Sequence, residues 1–243
     1  MWSLVLGWSI MPAWPRRELY GTGDRQYSPL ALGVALSPIP IIAVILMLLS
    51  PRALENGLAF LVGWVVGLAA VSIVVIALFG SAGLGSGSGS ALGSLIKTLL
   101  GLLLVGLAVR NFRKRPSPGK EPELPGWMRA IDSLTAVKTF GIAVLLTAIN
   151  PKNLSLTVAA AVTVAQAGLS TASVIFVMVL FVILSSLGIA VPVALYILGG
   201  SSATRVLNGL RTWLNANNST VTAVLLLVIG VVLFGKGLGG LIS

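Results

Sequence analysis

The chain has 243 residues, of which 56% are hydrophobic and only 9% are charged, and its mean hydropathy is +1.02. Because a soluble domain carries about 25% charged residues, this composition excludes an ordinary soluble protein and predicts an all-α membrane protein with several spans. The lack of Cys and His excludes disulfides and Cys/His metal sites, and the net charge of +10 is typical of basic loops rather than of a nucleic-acid partner.

Residues 1–27 are predicted to form an interfacial segment on the membrane surface. The apolar stretch 1–14 carries Trp2, Trp8 and Trp14, and Trp side chains favour the membrane interface. This stretch is shorter than the roughly 20 residues that a span requires, and it lacks the basic start of a signal peptide. We therefore expect it to lie on the bilayer rather than across it.

Three spans are predicted in the first half of the membrane region, residues 28–112. Pro38 and Pro40 fall near the middle of the first span, where a continuous helix would lose a hydrogen bond at each proline. One proline is commonly only a kink, but two prolines preceded by Ser37 predict a local unwinding. The three spans cover about residues 30–49, 57–79 and 91–109.

This half also contains a small-residue face and two charged residues near the ends of its spans. Gly63 and Gly67 give the second span a small-residue face that is suited to close helix contact. Lys97 lies in the first two turns of the third span, where snorkelling to the interface is a sufficient explanation and a functional role is the alternative. Glu55 follows the first span, and Glu55 and Lys97 are secondary site candidates.

A basic, proline-rich linker, residues 113–138, joins the two halves. Cytoplasmic loops carry an excess of Lys and Arg, so we expect this linker in the cytoplasm, both termini outside, and the protein in the cytoplasmic membrane. Arg16, Arg17 and Arg25 oppose this orientation.

The second half, residues 139–243, contains three more predicted spans. The first of them is interrupted at Asn150-Pro151-Lys152-Asn153, where the proline breaks the helix and the lysine costs about 2.5–3.5 kcal/mol at the centre of a span. A membrane protein usually tolerates a broken helix and a charge inside a span only where both have a function. The alternative is that the prolines only kink packed helices and Lys152 snorkels. The spans cover about residues 139–165, 172–198 and 220–240, and a polar segment, 199–219, separates the last two.

The two halves are predicted to be inverted repeats, because each opens with a broken span and continues with two long ones. With three spans per half, the second half must have the opposite orientation. Broken helices at matching positions of inverted repeats indicate a transporter site. The predicted substrate-binding residues are Ser37, Pro38, Pro40, Asn150, Pro151, Lys152 and Asn153.

The chemistry of these residues favours an anionic or polyhydroxylated substrate, since hydroxyls, amides and one cation are present and no buried carboxylate is. We expect no enzyme activity, because the chain lacks His, Cys, paired carboxylates and a phosphate-binding Gly-rich loop. For the same reason we expect no metal and no cofactor.

Three motifs of this chain, 35–46 (ALSPIPIIAVIL), 56–64 (NGLAFLVGW) and 150–154 (NPKNL), resemble the lysine-exporter superfamily. Within it they are similar to the glycolipid (peptidoglycolipid) addressing proteins of actinobacteria. The resemblance runs from about Ser28 to the C-terminus. It implies six spans, a role in moving cell-envelope glycolipids across or out of the cytoplasmic membrane, and a large lipid exporter as a partner.

The sequence leaves three functions open. The first is a transporter of glycolipids or other anionic lipids. The second is a small-solute exporter of the amino-acid type, although Lys152 and the missing buried carboxylate disfavour basic amino acids. The third is a non-transporting scaffold of a larger lipid exporter. A homo-oligomer is compatible with each of them.

Overall fold

The computed structural model describes residues 24–81, 91–113 and 133–242. Nearly all of the predicted interfacial segment 1–27 and most of the predicted linker 113–138 lie outside these ranges, so their predictions stay untested. The described ranges are built of helices, as predicted. These helices are α1 (Asp24–Ala35), α2 (Pro38–Leu48), α3 (Ala53–Ser81), α4 (Ala91–Arg113), α5 (Ala136–Ala148), α6 (Pro151–Ala165), α7 (Thr171–Leu198) and α8 (Gly200–Ile242).

Four of these helices, α3, α4, α7 and α8, are long and apolar enough to cross a membrane alone. The pairs α1–α2 and α5–α6 pass the same test only when each pair is taken together. The described chain therefore has four candidate spans, or up to six if each bent pair is one span. Only a third of each long span is buried inside the bundle, so its remaining apolar side chains are available to face lipid.

Both predicted interruptions are present. The axis bends by 41° between α1 and α2 and by 65° between α5 and α6. Pro38 and Pro151 are each the first residue of the helix that follows the break. At that position the missing N–H of proline has no intrahelical partner to lose, so each proline starts a new helix and does not merely kink an existing one.

The polar segment 199–219, which separates the last two predicted spans, is itself helical, because α8 is continuous over 43 residues from Gly200. The early part of α8 carries an apolar stripe, Ala203, Leu207 and Leu214, that is buried against the bundle. Spacings of four and seven residues place these side chains on one helical face. At about 1.5 Å per residue α8 is roughly 65 Å long, about twice the hydrocarbon thickness of a bilayer.

The two short helices that follow the breaks form the centre of the bundle. Nine of the 11 residues of α2 and ten of the 15 residues of α6 are buried. The helix α2 packs against α3, α7 and α8, and α6 packs against α1, α3, α4 and α7. The long helices therefore surround the second members of the broken pairs.

Glycines set the closest helix contacts beside the breaks. A Cβ at Gly67 of α3 would overlap the Thr147 hydroxyl at the end of α5, and a Cβ at Gly63 would lie 3.0 Å from Cβ of Ala143. Likewise, a Cβ at Gly188 of α7 would overlap the carbonyl oxygen of Ala35 at the end of α1. Small residues at such crossings allow two backbones to approach closely, as predicted for the face with Gly63 and Gly67.

Candidate functional site

The second break builds a helix N-terminus inside the bundle. Asn150 has an extended backbone, as expected of a residue before proline, and its side-chain oxygen accepts a hydrogen bond from the backbone N–H of Lys152 at 3.1 Å. Pro151 then occupies the first helical position. Each step follows from the local sequence, and together they place Lys152 and Asn153 in the first turn of α6.

Lys152 and Asn153 are buried without side-chain partners. Their exposed fractions are 5% and 0%. The ammonium nitrogen of Lys152 and both polar atoms of the Asn153 amide make no hydrogen bond within the described ranges. A buried neutral polar group without a partner costs about 1–3 kcal/mol, and a charged group costs more. The unpaired polar atoms of Lys152 and Asn153 are therefore available to form hydrogen bonds with a ligand.

Lys152 also has no nearby counter-ion in the described part of the chain. Glu55 is the one carboxylate among the side chains that the structure describes, which do not include that of Asp24, and it is exposed in the first turn of α3. Glu55, a secondary candidate, therefore does not join the buried residues at the second break. The local charge is positive, as the sequence predicted.

Two more buried side chains have unpaired polar atoms. The indole N–H of Trp64 on α3 and the hydroxyl of Ser185 on α7 make no hydrogen bond to any described residue, and both side chains are 1% exposed or less. The helices α3, α6 and α7 pack against one another. We use the name donor cluster for Trp64, Lys152, Asn153 and Ser185, which share buried, unpaired polar atoms and lie on these three adjacent helices.

The donor cluster offers mainly hydrogen-bond donors. The ammonium of Lys152, the amide NH₂ of Asn153 and the indole of Trp64 donate, while the Ser185 hydroxyl donates or accepts. The N-terminus of α6 adds partial positive charge beside Lys152 and Asn153, which lie in its first turn. This set suits an oxyanion or a polyhydroxylated head group better than a cation.

Trp64 and Ser185 were not among the sequence candidates. The available signal was their spacing from glycine, because Trp64 precedes Gly67 by three residues and Ser185 precedes Gly188 by three. Residues three apart share a helix face. Each therefore lies one turn from the glycine that contacts the end of α5 or α1.

The first break contributes fewer polar groups. Ser37 is buried and stands at the N-cap of α2, but its side chain makes no capping hydrogen bond. Pro38 and Pro40 are buried among apolar residues. The contact of Ala35 with Gly188 brings this break to the face of α7 that carries Ser185.

Lys97, the other secondary candidate, lies apart from the donor cluster. It lines a cavity of about 170 Å³ together with Lys236 and side chains of α1, α6 and α8.

A comparison with protein families matches residues 28–239, which include both breaks and the donor cluster, to a family described as Sap, sulfolipid-1-addressing protein. No curated protein and no solved structure matches the chain.

Proposed function

The chain belongs to the sulfolipid-1-addressing protein family, and we propose that it takes part in translocating an anionic lipid of the cell envelope across the membrane that it spans. The observation that carries this proposal is the buried ammonium of Lys152, which has neither a hydrogen-bond partner nor a counter-ion among the described side chains. A charge in that position is costly, so it is best explained by a ligand that neutralises it.

The family description adds the chemistry of the ligand. A sulfolipid carries a sulfur oxyanion on an apolar body. The ammonium of Lys152, the amide of Asn153 and the N-terminus of α6 would hold the oxyanion by charge-assisted hydrogen bonds. The acyl chains would stay in the bilayer, in contact with the outward apolar faces of the long helices.

The mechanism that we propose is passage of the polar head past the donor cluster while the acyl chains stay in lipid. Either two halves of the bundle rock around the cluster, or a lateral groove between helices admits the head. Helix N-termini at broken spans serve such anionic substrates in secondary transporters.

The inverted repeat remains part of this proposal. Residues 35–38 (ALSP) and 148–151 (AINP) align at the two breaks. The contact of Gly188 with the end of α1 corresponds to the contact of Gly67 with the end of α5. These parallels support a two-fold relation between α1–α4 and α5–α8, as do the matching contacts of α2 with α7 and of α6 with α3.

Membership of the lysine-exporter superfamily and of its glycolipid-addressing group belongs to the proposal too. The same holds for the cytoplasmic membrane as location, for the linker 113–138 on the cytoplasmic side, and for a large lipid exporter as partner. The supporting observations are the sequence motifs, the basic linker and the family description.

The test is lipid movement in liposomes that contain the purified chain. A head-labelled sulfated glycolipid is placed in one leaflet, and its appearance in the other leaflet is followed by quenching from outside. We expect the wild-type chain to speed this movement well above protein-free liposomes, and a labelled phosphatidylcholine to be moved far less.

Lys152→Ala should slow the movement at least tenfold, because loss of about 1.4 kcal/mol of interaction already gives that factor. The matched control is Lys138→Ala, since Lys138 is exposed on α5. Both variants are checked for a monodisperse, folded state. Equal rates for Lys152→Ala and wild type would contradict the role of Lys152.

The alternatives give different outcomes in the same liposomes. A small-solute exporter would release loaded amino acids and leave the lipid in place. A scaffold would move neither cargo, but would co-purify with a larger exporter.

A further inference from the structure

We infer that the cavity beside Lys97 and Lys236 is a second binding site, which holds the acidic head of a membrane lipid. This inference deepens the proposed function, on which it depends only for the identity of the lipid as cargo. Binding at the cavity can be measured without any transport.

Close packing of α4 and α8 brings the two lysines together. A Cβ at Gly237 would overlap the backbone nitrogen and the hydroxyl of Thr98, so the two backbones touch at this point. Lys236 and Lys97 are the direct neighbours of these two residues, and both line the cavity. Their pairing is thus set by the backbone crossing rather than by flexible side chains alone.

The lining of the cavity is otherwise mostly apolar, with Pro29 and Leu30 of α1 and a row of residues from α8. No carboxylate is among the lining residues whose side chains the structure describes. Two like charges beside one apolar cavity repel each other more strongly than they would in water. One sulfate or phosphate group between them would replace this repulsion with two attractions.

The cavity is large enough for the charged group of a lipid head and too small for a whole lipid, and its wall continues to the outer surface of the bundle. A volume of about 170 Å³ is close to the ~150 Å³ cavity that admits a benzene-sized ligand. Val228 and Val232 line it and are also exposed, by 57% and 48%. With Lys236 they form a row of every fourth residue on α8, so the cavity wall continues into the lipid-facing surface, where acyl chains can lie.

The cavity lies toward one end of the bundle. Lys97 is six residues from the start of α4 and Lys236 six residues from the end of α8, each about 9 Å along the helix. Thr163, near the end of α6, also lines it. Lys152 stands 11 residues earlier on the same helix, about 16 Å away along its axis. A head group bound here would therefore be about three helical turns from Lys152 along α6.

The experiment measures binding of a sulfated glycolipid with a photoreactive group near its head. The chain is held in phosphatidylcholine nanodiscs, and Lys152→Ala is included so that binding at the donor cluster is separated. We expect saturable crosslinks to the α8 segment 228–236 in both wild type and Lys152→Ala.

The double variant K97Q/K236Q should raise the lipid concentration that gives half-maximal crosslinking about tenfold. The matched control is R113Q/K138Q, which removes the same charge from exposed positions. Val232→Trp fills the cavity and keeps both lysines, so it should also weaken binding if the lipid head enters. Free sulfate at the same concentration should not compete.

Unchanged crosslinking in K97Q/K236Q, or an equal loss in the control, would overturn the inference. Competition by sulfate alone would overturn the assignment to a lipid. Crosslinking that depends on Lys97 and Lys236 without any lipid movement in liposomes would contradict the proposed function and support this site. Lipid movement without such crosslinking would support the proposed function and contradict this site.

Discussion

The break between α1 and α2 and the break between α5 and α6 share a backbone plan but differ in their side chains. Both end a helix at an alanine, continue through two residues and restart at a proline. After the first break come Ile39 and Pro40, and after the second come Lys152 and Asn153. The same backbone device thus carries an apolar helix in one half and a polar helix start in the other.

The helix caps and the bend angles also differ between the two breaks. Asn150 caps α6 with a hydrogen bond, whereas Ser37 makes none at α2. The bend is 65° at the capped break and 41° at the other. The helix α2 therefore serves as a packing element, and α6 carries the chemistry. A proline break alone does not mark a binding site; the unpaired polar side chains that follow the second break do.

The largest effect on stability should come from removing the unpaired charge. Lys152→Met keeps the length of the side chain and should raise the free energy of unfolding by about 3 kcal/mol, the cost of a lysine in mid-membrane. Ile39→Met, at the matching position of the first break, should change it by less than about 1.5 kcal/mol. Reversible unfolding in mixed micelles measures both. A loss of stability in Lys152→Met would mean that the ammonium is already neutralised.

The glycines beside the breaks should give the next largest effect. Gly188→Ala places a methyl against the Ala35 carbonyl, a backbone atom that cannot rotate away, and should cost about 1–3 kcal/mol. Gly67→Ala should cost less, because its nearest neighbour is the rotatable hydroxyl of Thr147.

The control for both glycine variants is Gly141→Ala on α5, where a Cβ would meet no atom within 4 Å. This change should be neutral or stabilise by about 0.5–1 kcal/mol, as alanine does in a helix. Equal effects at Gly141 and Gly188 would refute the close approach of α1 to α7. The same unfolding measurement applies.

The smallest effect should come from the caps. Asn150→Ala removes the hydrogen bond to the Lys152 N–H and should cost about 1 kcal/mol. Ser37→Ala removes no capping bond, so its cost should be close to zero. Asn150→Ser, which can still cap, should retain most of the stability. Equal losses at Asn150 and Ser37 would show that the two breaks do not differ in capping.

Local features of the chain could be predicted from the sequence. Prolines after an extended residue end and restart helices whatever surrounds them, so both breaks and the position of Lys152 followed from composition and order. Long apolar runs likewise indicated the spans. The helix over 199–219 was not predicted, because the apolar stripe of Ala203, Leu207 and Leu214 is interspersed with polar residues. An amphipathic helix is stabilised by its neighbours, and those neighbours are distant in sequence.

Only the tertiary structure decided which side chains meet and which remain unpaired. Trp64, Ser185 and Lys152 lie on helices α3, α7 and α6, which pack together, and Lys97 and Lys236 line one cavity because Gly237 lets α8 touch α4. Hydrogen bonds within a turn are encoded by neighbouring residues, whereas burial and partnering depend on contacts between segments that are distant in sequence, such as those of Lys97 and Lys236, which are 139 positions apart. For that reason the sequence was sufficient to predict the position of the Lys152 charge at the second break. Only the tertiary structure could show that this charge is buried without a partner.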